Sequence, residues 1–188
     1  MGAVLKTEEF LTVEEYLKGE ELSDTRHEYI GGRAYAMPGV TVAHNTICVN
    51  LVSALRTHLR GGPCRVFVES VKAHLRSIGL EIFYYPDVMV ACDPRDTHNL
   101  FREYPKVIVE VLSDSTEQTN RFEKFHHYIQ IETLEEYILV DQTKVEVTIY
   151  RRANNWKLEV YRAAEQEITF ASVDMRMRLA EIYEGVTF

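Results

Sequence analysis

No stretch of the 188-residue chain reaches the roughly 18 uninterrupted apolar residues of a membrane span. The N-terminus also lacks a basic segment leading into an apolar run. Both absences are read as a cytoplasmic protein with no membrane partner. Its three cysteines, Cys48, Cys64 and Cys92, lie far apart, odd in number and without a CxxC pair. That argues against a disulfide framework or a cysteine zinc knuckle and leaves them as ordinary buried thiols. HExxH, GxSxG and a Gly-rich phosphate loop are missing, so a zinc hydrolase or a nucleotide-binding enzyme has little support. The consecutive His126 and His127 diverge on a helix and make a poor chelate. Positive charge is scarce, with 21 Lys and Arg against 29 Asp and Glu and a formal charge of -8. Nucleic-acid affinity comes largely from phosphate neutralisation by Lys and Arg. Any nucleic-acid role must therefore be local, assisted by a divalent cation, or dependent on a partner. Repeats, low-complexity segments and linkers are lacking as well. The 46% hydrophobic content suffices for one core, so residues 1–188 read as a single domain.

What is present is an alternation of helix and strand patterns. Thr12 and Glu15 have capping-box spacing and start a short helix to about Gly19. His27 to Ile30 and Arg33 to Met37 flank Gly31-Gly32, a pair suited to a two-residue hairpin turn. Ile47, Cys48, Leu51, Val52, Leu55 and Leu59 recur at three- and four-residue steps until Gly61-Gly62-Pro63, which marks an amphipathic helix. Two short extended segments surround Glu69-Ser70. Ile82 to Cys92 and Lys106 to Leu112 have strand composition, the second buried on both faces. Ser115 and Gln118 cap a helix to about Gln130 whose inward stripe is Phe122, Phe125 and Ile129. Tyr137 to Val140 reads as a buried strand, and alternation at Val145, Val147, Ile149 and at Trp156, Leu158, Val160 gives a closing hairpin. Leu179 to Tyr183 adds a last helical turn. The fold class is α/β (α+β), with hairpins on both the N- and C-terminal sides.

Glu110 stands inside Val107-Ile108-Val109-Glu110-Val111-Leu112. An unpaired carboxylate in an apolar interior costs roughly several kcal/mol, so something must compensate it. A structural salt bridge is one answer. A shared cation is another, because Asp87 follows Pro86 at the head of Val88-Met89-Val90. Two carboxylates on adjacent strand ends can hold a hard divalent ion, Mg2+ or Mn2+, through oxygen ligands. Asn120, Lys124 and Tyr128 share one face of the following helix, away from the expected core stripe, so Lys124 can point back toward the strand ends. Read alone, Lys124 would be a solvated helix lysine.

Tyr85-Pro86-Asp87-Val88, Ile108-Val109-Glu110-Val111-Leu112-Ser113, Ser115-Thr116, Lys124, Tyr128 and Glu136-Tyr137-Ile138-Leu139-Val140-Asp141 together resemble the Uma-type restriction endonucleases. That group has the PD-(D/E)xK nuclease core. The likeness runs over nearly the whole chain, including His27-Glu28-Tyr29-Ile30, His44-Asn45 and Tyr183-Glu184. The resemblance implies a restriction-endonuclease-like core, a mixed central sheet flanked by helices, with Asp87 and Glu110 as metal-binding acids and Glu28 as a further metal carboxylate. The general motif puts a lysine two residues after the second acid, where this chain has Leu112; the family supplies it from the next helix, as Lys124. Asn120 stands where relatives often carry Asp, and Gly31-Gly32-Arg33 where they carry Asp-Gly-Glu or similar.

The expected activity is metal-dependent hydrolysis of a nucleic-acid phosphodiester, with DNA the first choice. Asp87, Glu110 and Glu28 hold the metal, Lys124 stabilises phosphoryl charge or orients water, and His44 assists as a base or phosphate donor. The alternative is a weak or inactive nuclease-fold module that binds or regulates through a protein or nucleic-acid partner, which the acidity favours. Arg56, Arg60, Arg65, Arg121, Arg151 and Arg152 are the cations available for DNA. A homodimer would suit cleavage of two strands and pool those charges.

Overall fold

The computed structural model describes residues 10–113 and 119–188, with side chains from Phe122 onward in the second stretch. The Ser115/Gln118 cap, Ser115-Thr116 and the side chains of Asn120 and Arg121 lie outside the described residues.

Helix α1 (Val13–Leu22) opens with the expected capping box: Thr12 Oγ1 accepts from Glu15 N at 3.2 Å and Glu15 Oε2 accepts from Thr12 N at 2.8 Å. The helix runs one turn past Gly19. Strands β1 (His27–Ile30) and β2 (Arg33–Ala36) form the hairpin, Ile30 opposite Arg33, with Gly31 at φ 54° and Gly32 at φ 94°. Both values favour glycine. Helix α2 (Val42–His58) comes next, then β3 (Arg65–Val68), β4 (Lys72–Ser77), β5 (Leu80–Tyr84) and β6 (Val88–Ala91).

The Ile82 to Cys92 run is thus two strands in two sheets. Strand β5 joins a sheet ordered β2-β1-β5-β4-β7, where β7 is Phe101–Arg102; β6 joins the other sheet. Pro86 lacks the N–H that a continuous ladder needs, so the chain crosses between sheets at Tyr85-Pro86-Asp87. That crossing leaves Asp87 at the rim.

The larger sheet contains β8 (Pro105–Leu112), β9 (Glu136–Asp141), β10 (Val147–Arg151) and β11 (Leu158–Tyr161), in the order β11-β10-β9-β8-β6-β3. Strand β8 runs parallel to β9 and antiparallel to β6, so the sheet is mixed. One face packs on α2, where Ile47, Leu51 and Leu55 meet Val107, Val109 and Ile138; Met175, Met177 and Ile182 extend the same core. On the other face Tyr84, Met89, Ile108, Tyr128, Tyr137 and Leu139 fill the space toward the smaller sheet. Burial of β8 on both faces explains its unbroken apolar run.

A small hairpin, β12 (Glu167–Phe170) with β13 (Met175–Arg178), and the turn α4 (Leu179–Ile182) complete the chain. The hairpin went unread in the sequence, although Ile168 and Phe170 alternate inward opposite Met175 and Met177. Among the described residues no helix is long and apolar enough to cross a membrane.

Two expectations are corrected. Cys64 and Cys92 are not thiols but a disulfide; Cys48 alone is free and buried. Arg65 pairs with Ala91, which brings the flanking cysteines face to face although 28 residues separate them. The helix after β8 also has a different phase. Residues Thr119–Lys124 form a π-helical turn, and α3 (Phe125–Tyr128) continues from it. Phe122 is 65% exposed while Lys124 and Tyr128 are buried. A π turn adds a residue per turn and so rotates the next stretch of helix about its axis. The inward face is therefore the one carrying the lysine, with Phe125 half-buried beside Tyr150 and Trp156.

Candidate active site

Val88 lies opposite Val109, so the residue before β6 meets the residue after Val109 and Asp87 stands level with Glu110. Asp87 Oδ2 accepts from Val111 N at 2.6 Å, which ties the crossing segment to β8. Its other oxygen, Oδ1, is 3.1 Å from His44 Nε2. His44 occupies the first turn of α2, where its backbone N donates to the N-cap oxygen Thr41 Oγ1 at 3.1 Å.

Glu110 is 2% exposed. Its Oε1 accepts from Lys124 Nζ at 3.2 Å and from Tyr128 Oη at 3.0 Å. The four-residue spacing of Lys124 and Tyr128 delivers both donors from one helix face. Lys124 Nζ also sits 2.7 Å from Glu28 Oε1, which β1 carries in from the smaller sheet, and 5.1 Å from the Tyr84 ring centre. Although close to the ammonium, Glu28 Oε1 is buried without a properly directed hydrogen bond.

All five residues named from the sequence therefore line one cavity of about 720 Å3: Glu28, His44, Asp87, Glu110 and Lys124. Tyr128 was noticed on the Lys124 face but not given a role. Its signal was the same four-residue step that brought Lys124 in.

The electrostatics follow from burial. Loss of water pushes the Glu110 carboxyl up to about 8; Lys124 opposes that, while the Asp87 and Glu28 charges add to it. Burial works against the Lys124 ammonium, yet the Glu110 and Glu28 carboxylates outweigh it and raise its pKa. The two directions are compatible because Lys124 keeps its charge through Glu28 even when Glu110 holds a proton. Burial likewise opposes a charged His44, but the Asp87 hydrogen bond and charge raise the ring above its ordinary value. Once Glu110 gives up its proton, three carboxylates face the one Lys124 ammonium. The donor set is made of carboxylate oxygens, the ligand type that a hard divalent cation takes.

Another cavity, about 670 Å3, lies at the starts of β8 and β9, lined by Lys106, Glu136, Arg151, Arg152 and Ser172. Its cations are already engaged: Arg151 by Glu136 and Glu159, and Arg152 by the carbonyl oxygens of Leu134 and Ile131. Arg65 donates to the carbonyl oxygens of Gly62 and Cys64, and Arg56 and Arg60 are exposed.

The architecture is a nuclease fold. A crystal structure from Anabaena variabilis, described as a "putative nuclease belonging to DUF820", superposes with a TM-score of 0.78 over 94% of this chain and 99% of that one, at 20% identity. The chain belongs to the Uma2 family, described as "Putative restriction endonuclease", whose sequence profile matches residues 13–179. Two uncharacterised proteins of Synechocystis sp. are similar. One, slr1290, is 36% identical over 181 residues, covering 95% of this chain and 94% of the relative. The other, sll1609, is 32% identical over 173 residues, covering 89% and 97%.

Proposed function

We propose that the protein is an endonuclease that hydrolyses phosphodiester bonds, DNA first among its substrates, with a divalent cation held by Asp87, Glu110 and Glu28. The observation that carries this reading is Glu110: a carboxylate buried in a central strand, with two further acids beside it and a single lysine between them. Mg2+ or Mn2+, when bound, supplies Lewis acidity toward a phosphoryl oxygen and lowers the pKa of a coordinated water.

The chain's own residues supply the rest. Lys124 presents a fixed ammonium for charge that grows on the phosphoryl oxygens, and its burial makes that charge count for more than in water. Tyr128 and Lys124 hold the Glu110 carboxylate in one orientation. His44, 3.1 Å from Asp87 Oδ1, acts in this reading through Asp87 as a positioning residue. Met37 and Val40 give the cleft an apolar wall beside the acids. A two-fold homodimer in the cytoplasm would present one such cleft to each strand of a duplex.

The test is Mg2+- or Mn2+-dependent cleavage of DNA by wild type, Asp87→Ala and Lys124→Ala. The expected outcome is a loss of at least about 100-fold in each variant. Equal rates in all three would remove the mechanism. The net charge of -8 favours a second reading, a nuclease-fold binding module. Calorimetry separates the two: divalent-ion binding abolished by Glu110→Gln supports the enzyme, whereas no ion binding together with tight binding to a protein partner supports the module.

A further inference from the structure

We infer that the protein has a second cation site, formed by His44, Cys48 and Glu69, that takes a borderline-soft divalent ion such as Zn2+. The three offer one nitrogen, one sulfur and one oxygen, all within 4.8 Å of one another. Ligand atoms roughly 2.0–2.3 Å from a tetrahedral Zn2+ stand roughly 3.3–3.8 Å apart, so closing the site takes only small side-chain adjustments. Three protein ligands with water in the fourth position is a common zinc arrangement.

Each ligand is placed by a separate feature of the chain. His44 and Cys48 are four residues apart on α2 and so share the helix face that packs on the large sheet. Cys48 is buried and is the only free cysteine of the three. Glu69 sits in the turn between β3 and β4 with φ 33°, a backbone conformation uncommon for a side chain of its size. It is held there from two directions: its N donates to the Asp87 carbonyl oxygen at 3.4 Å and its own carbonyl accepts from Arg26 Nη1 at 3.1 Å. Arg26 also faces Glu69 Oε2 at 3.6 Å, while Glu69 Oε1 is buried with no hydrogen-bond partner. An orphaned carboxylate oxygen beside a buried thiol and an imidazole is the donor set that zinc selects, and a mixed N, S, O set is poorly suited to Mg2+.

The site adjoins the acidic cleft at Asp87, whose carbonyl oxygen accepts from Glu69 N at 3.4 Å and whose Oδ1, 3.1 Å from His44 Nε2, fixes the imidazole ring. A carboxylate behind a metal-binding histidine orients the ligand and raises its affinity. The inference does not depend on phosphodiester cleavage, because its readout is metal binding itself.

Co2+ serves as the probe, added to the full chain with Cys64 and Cys92 kept oxidised. The expected result is thiolate-to-cobalt absorption in the near ultraviolet at one ion per chain, displaced by Zn2+ and lost in Cys48→Ser. Glu69→Gln, a substitution at a partly exposed turn, should weaken Co2+ at least about tenfold while the thiolate band remains at saturation. Glu167→Gln, an exposed acid outside both sites, should leave the band and its affinity unchanged. Absence of the band in folded wild type, its persistence in Cys48→Ser, or unaltered affinity in Glu69→Gln would overturn the site. Absence of DNA cleavage by wild type with the cobalt spectrum intact would count against the nuclease reading alone.

Discussion

Two buried glutamates occupy neighbouring parallel strands, and they are treated in opposite ways. Glu136, at the head of β9, is 2% exposed and surrounded by donors: Ala171 N at 3.0 Å, Ser172 N at 3.1 Å, Ser172 Oγ at 2.6 Å and the Arg151 guanidinium. Glu110, near the end of β8, is equally buried but shares its one lysine with Glu28 and faces Asp87. A carboxylate whose task is structural is given hydrogen bonds to spare. One left among other acids is poised for a cation that the chain does not itself provide. Burial alone would not have separated the two.

The largest expected effect separates them by activity. Glu110→Gln should lower divalent-dependent DNA cleavage at least about 100-fold, while Glu136→Gln should keep the rate per folded molecule within about threefold. A comparable loss in both would erase the contrast. Stability should show the reverse order. Glu136→Gln removes charge from a satisfied network and should cost about 3 kcal/mol in urea unfolding, against less than about 1 kcal/mol for Glu110→Gln without metal.

A third prediction uses pH. Because burial holds the Glu110 carboxyl up at about 8 against an ordinary 4.5, the folded protein keeps a proton that the unfolded chain has released between those values. That contribution is fully present below about 4.5 and is lost as pH rises through about 8. The metal-free protein should therefore melt at progressively lower temperature from pH 6 to 9. Mn2+, which needs the carboxylate, should raise the melting temperature more at pH 9 than at pH 6. Glu110→Gln should flatten both trends; a pH-independent Mn2+ effect would mean that Glu110 is not a ligand. The smallest expected change is Tyr128→Phe, which deletes one donor to Glu110 Oε1. It should cost about 1 kcal/mol of stability and less than about tenfold in cleavage.

The same contrast marks what the sequence could disclose. Glu110 was legible because a charged residue inside an apolar strand is costly, and Asp87 because Pro86 sets it at a strand head. Glu136 entered only within a motif of the resemblance and without a role, because its partners come from Ser172 and Arg151, distant in sequence. Lys124 was reached by helix phase even though the stripe assigned to that helix was wrong, because Phe122 points outward and the π turn shifts the register. Local periodicity does not report such a shift. Glu28 came only through resemblance, since nothing local links β1 to β8. The Cys64–Cys92 bond was invisible for a related reason: strand pairing, not spacing, brings the two together.

The most direct test is an anomalous difference map from crystals soaked in Mn2+. The account predicts a manganese peak coordinated by Asp87 and Glu110, with Glu28 at or near the shell and no peak at Glu136. Full occupancy elsewhere, with Asp87 and Glu110 still tied only to Val111, His44, Lys124 and Tyr128, would contradict it.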